Sequence, residues 1–432
     1  FSNYGVILRD LKYLQEAEIY TRKAIECKPN IAEAHFNLAN ILKDIGNFQE
    51  AEISIRKAIE LKPGYANAYL TLGNTLNALG NLEEAESSLL KALELKSDFA
   101  DASAVLGTVL LQKGENDTAL KYFSKSSELL RGQSKTELTS KKFTETSLVK
   151  IEHDIEQFEY LASQDHMTKK FVDLANLYKK VNAEISWPSE TQIISLSNTH
   201  QSLLQGSYNL LVHRAQAPRL KKGAVNNSLN VDKITNDYFD HDFGLTYIDD
   251  FLSPEAANSL RKFLLESTIW FDIKKDGYLG AYLTEGLANP LLLQIAEELR
   301  KKFPKIFRDF PVNQIWAYKY DSRAKKQNSS LRGINVHADF AAVNVNFWIT
   351  PSNANLNANS GGLVVYDVEA PKDWDFNTYN NDEKKIREEL KKSRGHTKII
   401  PYKGNRAVVF NSNLFHETDS YEFKEGYENR RI

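Results

Sequence analysis

Two histidines and one aspartate near the C-terminus have the types and spacing of metal ligands. His337 and Asp339 are separated by one residue in the strand-like segment GINVHADF. Because side chains on a strand alternate between its faces, we expect these two side chains to point the same way. His416, in the segment SNLFHETD that follows the strand-like RAVVFNS, is the candidate third ligand.

Two imidazoles and one carboxylate on one side of a metal ion leave its other side open. This ligand set is the facial triad of non-haem Fe(II) oxygenases, and its open positions suit a chelating cosubstrate and O2. The ligands alone do not fix the metal, so a zinc or manganese site of a cupin-like isomerase is an alternative. A metal-free β-sandwich with three structural residues is another.

Five segments in this region resemble, in their order, the 2-oxoglutarate-dependent dioxygenase superfamily, and within it the prolyl-hydroxylase-like group. They are IDDFLSPEAANSLRKFL, YKYDSRA, HADF, SGGLVVYD and KGNRAVVFNSNLFHE. The resemblance covers about residues 240–432, in a domain that we place at 236–432. It implies a double-stranded β-helix (jelly roll) with flanking helices. It also implies Fe(II) held by His337, Asp339 and His416, with 2-oxoglutarate and O2 as cosubstrates.

The same resemblance implies an arginine that holds the far carboxylate of 2-oxoglutarate, about a dozen residues after the distal histidine. A planar guanidinium can meet a carboxylate with two hydrogen bonds. Arg431 best matches the position of this arginine in the family's sequence pattern, and Arg430 is the second choice. A surface ion pair is the alternative role for Arg431. The domain is expected to be truncated, because the predicted strand ends at Ile432.

Four more side chains are candidates for the 2-oxoglutarate or substrate pocket. Tyr318 and Tyr320 share one face of a predicted strand, and Asn344 and Asn346 share a face of the strand after the metal motif. Aromatic and amide side chains on sheets also pack or bridge strands, so a purely structural role is the alternative.

The elements that must position these residues are two helices followed by short strands. SPEAANSLRKFLLEST is predicted to be a helix with Ser253 as N-cap and Pro254 at its first position, and NPLLLQIAEELRKKF is predicted to be the second. Strands are predicted at FGLTYIDDFL, NQIWAYKYD, GINVHADF, VNVNFWITP, GGLVVYD, TKIIPY, RAVVFNS and ENRRI. An insertion after GGLVVYD carries the charged helix DEKKIREELKKS, interpreted as a solvated surface helix or as a lid.

The first third of the chain repeats with a period of 34 residues. Gly46, Gly80 and Gly114 are one period apart, and alanines and leucines recur in phase with them. The pattern resembles tetratricopeptide (TPR) repeats, which are helix–turn–helix units that stack into a solenoid with a concave groove. The solenoid is predicted over residues 1–131. Its first copy has Lys12 in place of the turn glycine.

Three asparagines at matching places on the inner helices are candidate groove residues: Asn37, Asn40 and Asn74. The resemblance implies that such side chains bind peptide backbone, and an amide can satisfy both an N–H and a C=O of an extended peptide. We therefore expect a protein or peptide partner, with a recruited substrate as one candidate. Solvated asparagines without a ligand are the alternative.

Residues 132–235 are predicted to be a helical connector and linker. Apolar residues recur at helical spacing over 148–161 and 171–181, and the linker falls at 217–233. The four histidines in this region have no ligand-like spacing and are interpreted as structural or surface residues: His153, His166, His200 and His213.

The composition excludes several classes of protein. The net charge of −2 argues against binding to nucleic acid or to a membrane surface by bulk electrostatics. No apolar stretch approaches the roughly 20 residues that span a bilayer. The single cysteine, Cys27, excludes an intrachain disulfide framework and a multi-cysteine zinc site. We expect a cytoplasmic protein.

The leading interpretation is a multi-domain α + β protein, a TPR solenoid joined to an Fe(II)/2-oxoglutarate hydroxylase. The alternative is a TPR interaction scaffold whose C-terminal domain is catalytically inactive or binds a different metal.

Overall fold

The structure, a computed structural model, describes residues 2–133, 138–164, 168–323, 331, 333–339 and 341–432. Two compact units divide the chain, Phe1–Leu130 and Arg131–Ile432. The predicted role of His166 falls outside the described residues.

The first unit is built from paired antiparallel helices. In its described residues these helices are α1 (Ser2–Asp10), α2 (Leu14–Cys27), α3 (Ala32–Ile45), α4 (Phe48–Leu61), α5 (Ala66–Ala78), α6 (Leu82–Leu95), α7 (Ala100–Lys113) and α8 (Asn116–Arg131).

Left-handed residues turn the chain between the two helices of each repeat. Gly46, Gly80 and Gly114 have φ values of 92°, 78° and 83°. Lys12 takes the same conformation, with φ of 69°, so the first copy keeps the turn without its glycine. The alanines at the 34-residue spacing of Ala51, which are Ala17, Ala51, Ala85 and Ala119, are fully buried, and Ala51 packs where α3 and α4 meet. The predicted helical repeat is therefore confirmed.

The second unit begins with the connector helices. Its described helices are α9 (Lys141–Thr144), α10 (Leu148–Ser163), α11 (Thr168–Glu184), α12 (Asn198–Leu204), α13 (Val231–Asp240), α14 (Pro254–Glu266), α15 (Pro290–Lys302), α16 (Pro304–Phe307), α17 (Phe376–Asn381) and α18 (Glu383–Glu389). The connector is helical, as predicted, and belongs to the same compact unit as the C-terminal strands. Helix α14 starts as predicted, because the Ser253 side chain accepts a hydrogen bond from the Ala256 N–H at 3.3 Å.

All paired strands are antiparallel. The strands in the described residues are β1 (Glu145–Thr146), β2 (Ile194–Ser195), β3 (Leu245–Ile248), β4 (Asp272–Ile273), β5 (Tyr278–Tyr282), β6 (Trp316–Tyr320), β7 (Val343–Phe347), β8 (Leu363–Glu369), β9 (Lys398–Ile400), β10 (Ala407–Asn411) and β11 (Leu414–Thr418). They form three-stranded sheets in the orders β3-β10-β7, β11-β8-β9 and β4-β5-β6, beside the small pair β1-β2.

Side chains from the three larger sheets share one buried cluster. On β10, Phe410 lies opposite Leu245 of β3 and Asn344 of β7, so these three residues occupy one face. The cluster also contains Tyr320 of β6 and Val365 of β8. The C-terminal region is thus a set of small antiparallel sheets around a common core.

Two of the predicted strands are wrong. GINVHADF pairs irregularly with β11: it forms one bridge, His337 with His416, and its other backbone bonds, to Thr418 and Ser412, are out of regular register. On its other edge, the Ala338 N–H donates to Tyr379 of the insertion. The segment ENRRI is a 3-10 turn, Tyr427–Asn429, followed by extended but unassigned residues.

His416 also lies on a strand of its own, β11, which the sequence analysis did not separate from β10. Only Ser412 and Asn413 lie between the two strands, so the apolar run continues almost without a break.

Candidate metal centre and cosubstrate pocket

The structure brings together the three predicted metal ligands. One ligand atom from each of His337, Asp339 and His416 lies within 4.8 Å of the others. The Nε2 atom of His337 is 3.6 Å from Oδ1 of Asp339, and Nε2 of His416 is 3.4 Å from Oδ2. Among the described residues, this is the cluster of His, Cys, Asp and Glu that could hold a metal ion.

Backbone carbonyls fix the orientation of both imidazole rings. Nδ1 of His337 is 2.8 Å from the Asn335 carbonyl oxygen, and Nδ1 of His416 is 3.0 Å from that of Leu414. Since a carbonyl oxygen only accepts, each Nδ1 carries the proton in the neutral ring. The lone pair of each Nε2 is then directed to the Asp339 side, as a metal ligand requires.

The ionisation states also suit a metal. Burial, with a smaller effect from the neighbouring His416, lowers the pKa of His337 to about 4, so this ring is neutral at pH 7. Burial alone would raise the pKa of Asp339, but the polar surroundings formed by His416, His337 and the donating Asn344 amide outweigh it. The pKa of Asp339 therefore falls below its ordinary value, and the carboxylate is ionised.

The spacing fits one ion after side-chain adjustments. Ligand atoms about 2.1 Å from a metal in neighbouring positions lie about 3 Å apart. The three ligand atoms lie within 4.8 Å of one another, so they must approach one another by up to about 2 Å to share one ion. Two neutral imidazoles and one carboxylate are a donor set that suits Fe(II) and also Zn or Mn.

Asn344 holds the Asp339 carboxylate. Its Nδ2 donates to Oδ2 of Asp339, and its Oδ1 accepts a hydrogen bond from Ser412 Oγ at 3.0 Å. The Asp339 N–H also donates to the Ser412 carbonyl at 3.1 Å. This candidate pocket residue thus orients a ligand from the β7 strand.

Arg431 is buried in an aromatic cage. Its guanidinium carbon lies 4.5 Å from the centre of the Tyr320 ring, 5.8 Å from that of Trp348 and 6.0 Å from that of Tyr402. Nε and Nη2 donate to the backbone carbonyls of Gly361 and Gly362 at 2.8 and 3.2 Å. The residue is 4% exposed, and it forms no ion pair with any carboxylate of the described residues.

Arg430, the second choice, has different surroundings. Its Nε donates to Glu156 of α10 at 2.8 Å, and its Nη1 donates to Asp321 at 3.0 Å. Both interactions are ion pairs, so this guanidinium already has carboxylate partners. The structure thereby separates two arginines that the sequence left as alternatives.

The remaining pocket candidates lie along the same core. Tyr318 and Tyr320 both contact Tyr278, with ring centres 5.3 and 5.2 Å apart, so they share a face as predicted. Asn346 is half-buried on the core face of β7, opposite Val408, and makes no hydrogen bond to a described residue.

One face of β7 links the two parts of the site. Asn344 and Asn346 lie on this face, and Trp348, the residue that follows β7, continues it, with about 7 Å between successive members. Asn344 contacts the Asp339 carboxylate at one end, and Trp348 contacts Arg431 at the other.

The three groove asparagines of the first unit differ in their surroundings. Asn40 is buried, and its amide donates to the Phe36 carbonyl at 3.1 Å and accepts from Thr71 Oγ1 at 3.4 Å. Asn37 is half-buried on α3. Asn74 is half-buried on α5 and makes no hydrogen bond to a described residue. Asn40 therefore already bridges two helices, which the repeat pattern could not reveal.

The insertion residues that contact the metal segment could not be recognised from the sequence. Tyr379, Asn380 and Arg387 all lie between β8 and β9 and bond to residues next to the ligands. They have no motif of their own, and the charged pattern of the α18 segment predicts a solvated helix or a lid and gives no sign of its buried face.

Comparisons with known proteins bear on the first unit. Two tetratricopeptide-repeat family models match residues 30–98 and 70–128. The N-terminal region therefore contains TPR repeats, as its 34-residue period predicts. Comparison with curated proteins gives no match.

Similar solved structures include several TPR proteins. MamA from Desulfovibrio magneticus RS-1 is 25% identical over 31% of this chain and 76% of its own, with a TM-score of 0.30. The first TPR domain of Spaghetti, bound to an HSP90 peptide, is 24% identical over 26% and 90%, with a TM-score of 0.26. YrrB, a TPR protein with an unusual peptide-binding site, is 19% identical over 41% and 84%, with a TM-score of 0.28. These TM-scores are too low to support a functional argument.

In the described part of the chain, the helices lack the combined length and apolar character needed to cross a bilayer.

Proposed function

We propose that the second unit is an Fe(II)- and 2-oxoglutarate-dependent dioxygenase that hydroxylates its substrate. The main support is one spatial relationship. The cluster of His337, Asp339 and His416 and the buried, carboxylate-free Arg431 border the same core face of β7. A metal chelate at one end and a carboxylate anchor at the other are what 2-oxoglutarate requires.

His337, Asp339 and His416 would hold the iron. Iron bound there supplies the oxidation chemistry that couples decarboxylation of 2-oxoglutarate to hydroxylation. The chain's own contribution is to present two imidazoles and a carboxylate with their orientations already fixed by Asn335, Leu414 and Asn344. Asn344 limits the rotation of the Asp339 carboxylate by donating to its Oδ2, and three protein ligands would leave positions for the cosubstrate and O2.

Arg431 would bind the far carboxylate of 2-oxoglutarate. A buried cation without a counter-ion is unfavourable, and an anionic ligand relieves that cost. Two of its nitrogens already bond to Gly361 and Gly362, which fixes the plane of the guanidinium, and Nη1 keeps its donors for a ligand. The surrounding rings of Tyr320, Trp348 and Tyr402 exclude water, which strengthens the charge interaction.

We also propose that the sheets β3-β10-β7 and β11-β8-β9 are the two halves of a double-stranded β-helix. Their antiparallel order and the core that they share support this proposal. The α14 and α15 helices would be its flanking helices.

The TPR repeats would recruit a protein or peptide, which is the substrate in the simplest arrangement. Asn37 and Asn74 are the groove side chains that we expect to contact it. The second candidate function is a TPR scaffold with an inactive or differently metallated second unit. The family models that match residues 30–128 favour the scaffold part of either proposal.

Anaerobic titration with Fe(II) and 2-oxoglutarate tests the proposal. We expect a visible metal-to-ligand charge-transfer band that requires both additions and is absent in His337→Ala. In Arg431→Met the band should need a much higher concentration of 2-oxoglutarate, whereas Fe(II) binding should persist. Folded wild-type protein that gives no band would contradict the dioxygenase and leave the scaffold.

A further inference from the structure

We propose that the insertion between β8 and β9, residues 370–397, positions the metal ligands, and that Asn380 and Arg387 are its main positioning residues. The inference rests on the proposed metal site. It assigns to α17 and α18 a role other than that of a solvated surface helix or a lid. Neither Asn380 nor Arg387 is a metal ligand.

The first contact holds the residue between two ligands. Ala338 lies between His337 and Asp339, and both of its backbone polar groups bond to the insertion. Its N–H donates to the Tyr379 carbonyl at 3.0 Å, and its carbonyl accepts from Asn380 Nδ2 at 3.0 Å. The end of α17 therefore occupies the edge of this segment that does not face β11, where a second neighbouring strand would otherwise lie.

The second contact holds the residue after the third ligand. Arg387 of α18 forms a two-pronged ion pair with Glu417, with Nη2 to Oε2 at 2.6 Å and Nη1 to Oε1 at 3.0 Å. Tyr366 of β8 accepts from Arg387 at 3.1 Å and donates to Glu417. Because Glu417 follows His416 on β11, this network fixes the strand beside the distal imidazole.

Apolar packing joins the two contacts. Ile386 of α18 is fully buried in a cluster with Val336, Ala338 and Phe415. These three residues are the chain neighbours of His337, Asp339 and His416. The insertion thus touches the residue beside each ligand from the side away from the metal.

This support matters because the ligand segment has little regular structure of its own. His337 forms a single bridge with His416, and Asp339 lies outside any strand. Without α17 and α18, the separation of the two imidazoles and the carboxylate would vary. Residues that orient metal ligands typically change metal affinity 10- to 100-fold when they are mutated.

Metal affinity is the measurement that tests the inference. The full-length protein is titrated with Co(II) and, anaerobically, with Fe(II), in competition with a chromophoric chelator. Asn380→Ala is compared with Asn381→Ala, since Asn381 is an exposed neighbour whose side chain donates to Asn377 of its own helix and, among the described residues, makes no other side-chain hydrogen bond. Arg387→Gln is compared with Lys384→Gln, an exposed site on the same helix.

We expect Asn380→Ala and Arg387→Gln to raise the metal Kd about 10-fold or more. The two controls should change it less than about 2-fold, and the Co(II) absorption spectrum should change only in the first two variants. Thermal unfolding without metal separates a positioning role from a structural one. A lower apo-protein Tm with an unchanged metal Kd would overturn the inference.

The possible failures are distinguishable. Wild-type protein that binds neither metal would overturn the proposed function and this inference together. Wild-type protein that binds metal, with Asn380→Ala equal to Asn381→Ala, would overturn the inference alone. If Asn380→Ala does not fold, Arg387→Gln decides the question, because that side chain is 43% exposed and its loss opens no cavity.

Discussion

Arg430 and Arg431 are consecutive residues, yet only the guanidinium of Arg430 is paired with carboxylates. Arg430 bonds to Glu156 and Asp321, whereas Arg431 lies over the Tyr320 ring with two backbone carbonyls as its acceptors. Extended backbone sends consecutive side chains to opposite sides, which separates the two surroundings. The adjacent arginines should therefore respond in opposite ways to the same substitution.

Arg431→Met should leave the stability of the ligand-free protein unchanged or raise it. The substitution removes a buried charge without a counter-ion and puts an apolar side chain of similar length among aromatic rings. Thermal unfolding should show a Tm equal to or above that of wild type. In wild type, metal with 2-oxoglutarate should raise the Tm more than metal alone does. In Arg431→Met, 2-oxoglutarate should add nothing to the increase that metal alone gives.

Arg430→Met should destabilise the protein by about 3–5 kcal/mol, the usual cost of breaking a buried ion pair from one side. The substitution leaves Asp321 buried with Arg323 as its remaining partner and leaves Glu156 without its arginine. Urea unfolding measures the difference. Equal effects of the two arginine substitutions on stability would contradict the conclusion that only Arg430 is paired with carboxylates.

Acid should weaken the second unit through Asp321. Burial alone would raise the pKa of Asp321, but Arg430 and Arg323 outweigh it and lower that pKa to about 2. The unfolded chain has a pKa of about 3.9 for aspartate, so the stabilisation is complete above that value and is lost as pH falls towards 2. Between pH 5 and pH 2.5 the loss from this group should be roughly 2 kcal/mol.

The measurement is urea unfolding of wild type and Asp321→Asn at both pH values. The variant should be less stable at pH 5 because the ion pair with Arg430 is gone. Its free energy of unfolding should depend less on pH than that of wild type, by roughly 2 kcal/mol over this interval. If the free energies of unfolding of the two proteins change equally with pH, the pKa of Asp321 is not lowered in the folded protein.

The repeats could be predicted from the sequence because their signals are local. A glycine at a left-handed turn and an alanine between two helices need no information from distant residues, and Gly46 and Ala51 illustrate both. The predicted α14 and its Ser253 cap were correct for the same reason. Lys12 shows the limit of the pattern, since it adopts the turn conformation without being glycine.

The metal-ligand candidates could also be recognised from short segments of sequence. The contacts that hold them in position could not, because they come from residues far away in the chain. The regular strand predicted around His337 is wrong because its pairing with β11 is irregular, and on its other edge the insertion, not a strand, bonds to Ala338. The choice between Arg430 and Arg431 depends on Glu156, which is 274 residues away in the chain. Such long-range partners leave no periodic trace in a single sequence.

Lys12→Gly should stabilise the first unit, and Gly80→Ala should destabilise it, each by up to about 1 kcal/mol. Both positions have a left-handed backbone, with φ of 69° and 78°, which costs a residue with a Cβ about 1–2 kcal/mol. The greater freedom of glycine in the unfolded chain offsets part of the gain at Lys12. No atom lies within 4 Å of a Cβ added at Gly80, so its cost comes from the backbone alone.

Lys28→Gly is the matched control for Lys12→Gly. Lys28 is also exposed and follows a helix of the first repeat, but its φ of −144° suits any residue. Glycine there should destabilise by about 0.5–1 kcal/mol because only the unfolded chain gains freedom. Chemical unfolding followed by circular dichroism compares the variants. The same sign of effect at both lysines would contradict the role assigned to the left-handed turn.

Asn344→Ala and Asn346→Ala should separate metal binding from cosubstrate binding. Asn344 donates to the Asp339 carboxylate and accepts from Ser412, so its loss should weaken metal affinity about 10-fold. Asn346 lies on the same face of β7, two residues closer to Trp348. Its side chain makes no hydrogen bond to a metal-ligand candidate. Its loss should leave the Co(II) Kd within about 2-fold of wild type and raise the 2-oxoglutarate concentration needed for half of the charge-transfer signal. If the two variants lose metal affinity equally, this face of β7 affects only metal binding. The region between Asp339 and Arg431 would then not be the cosubstrate pocket.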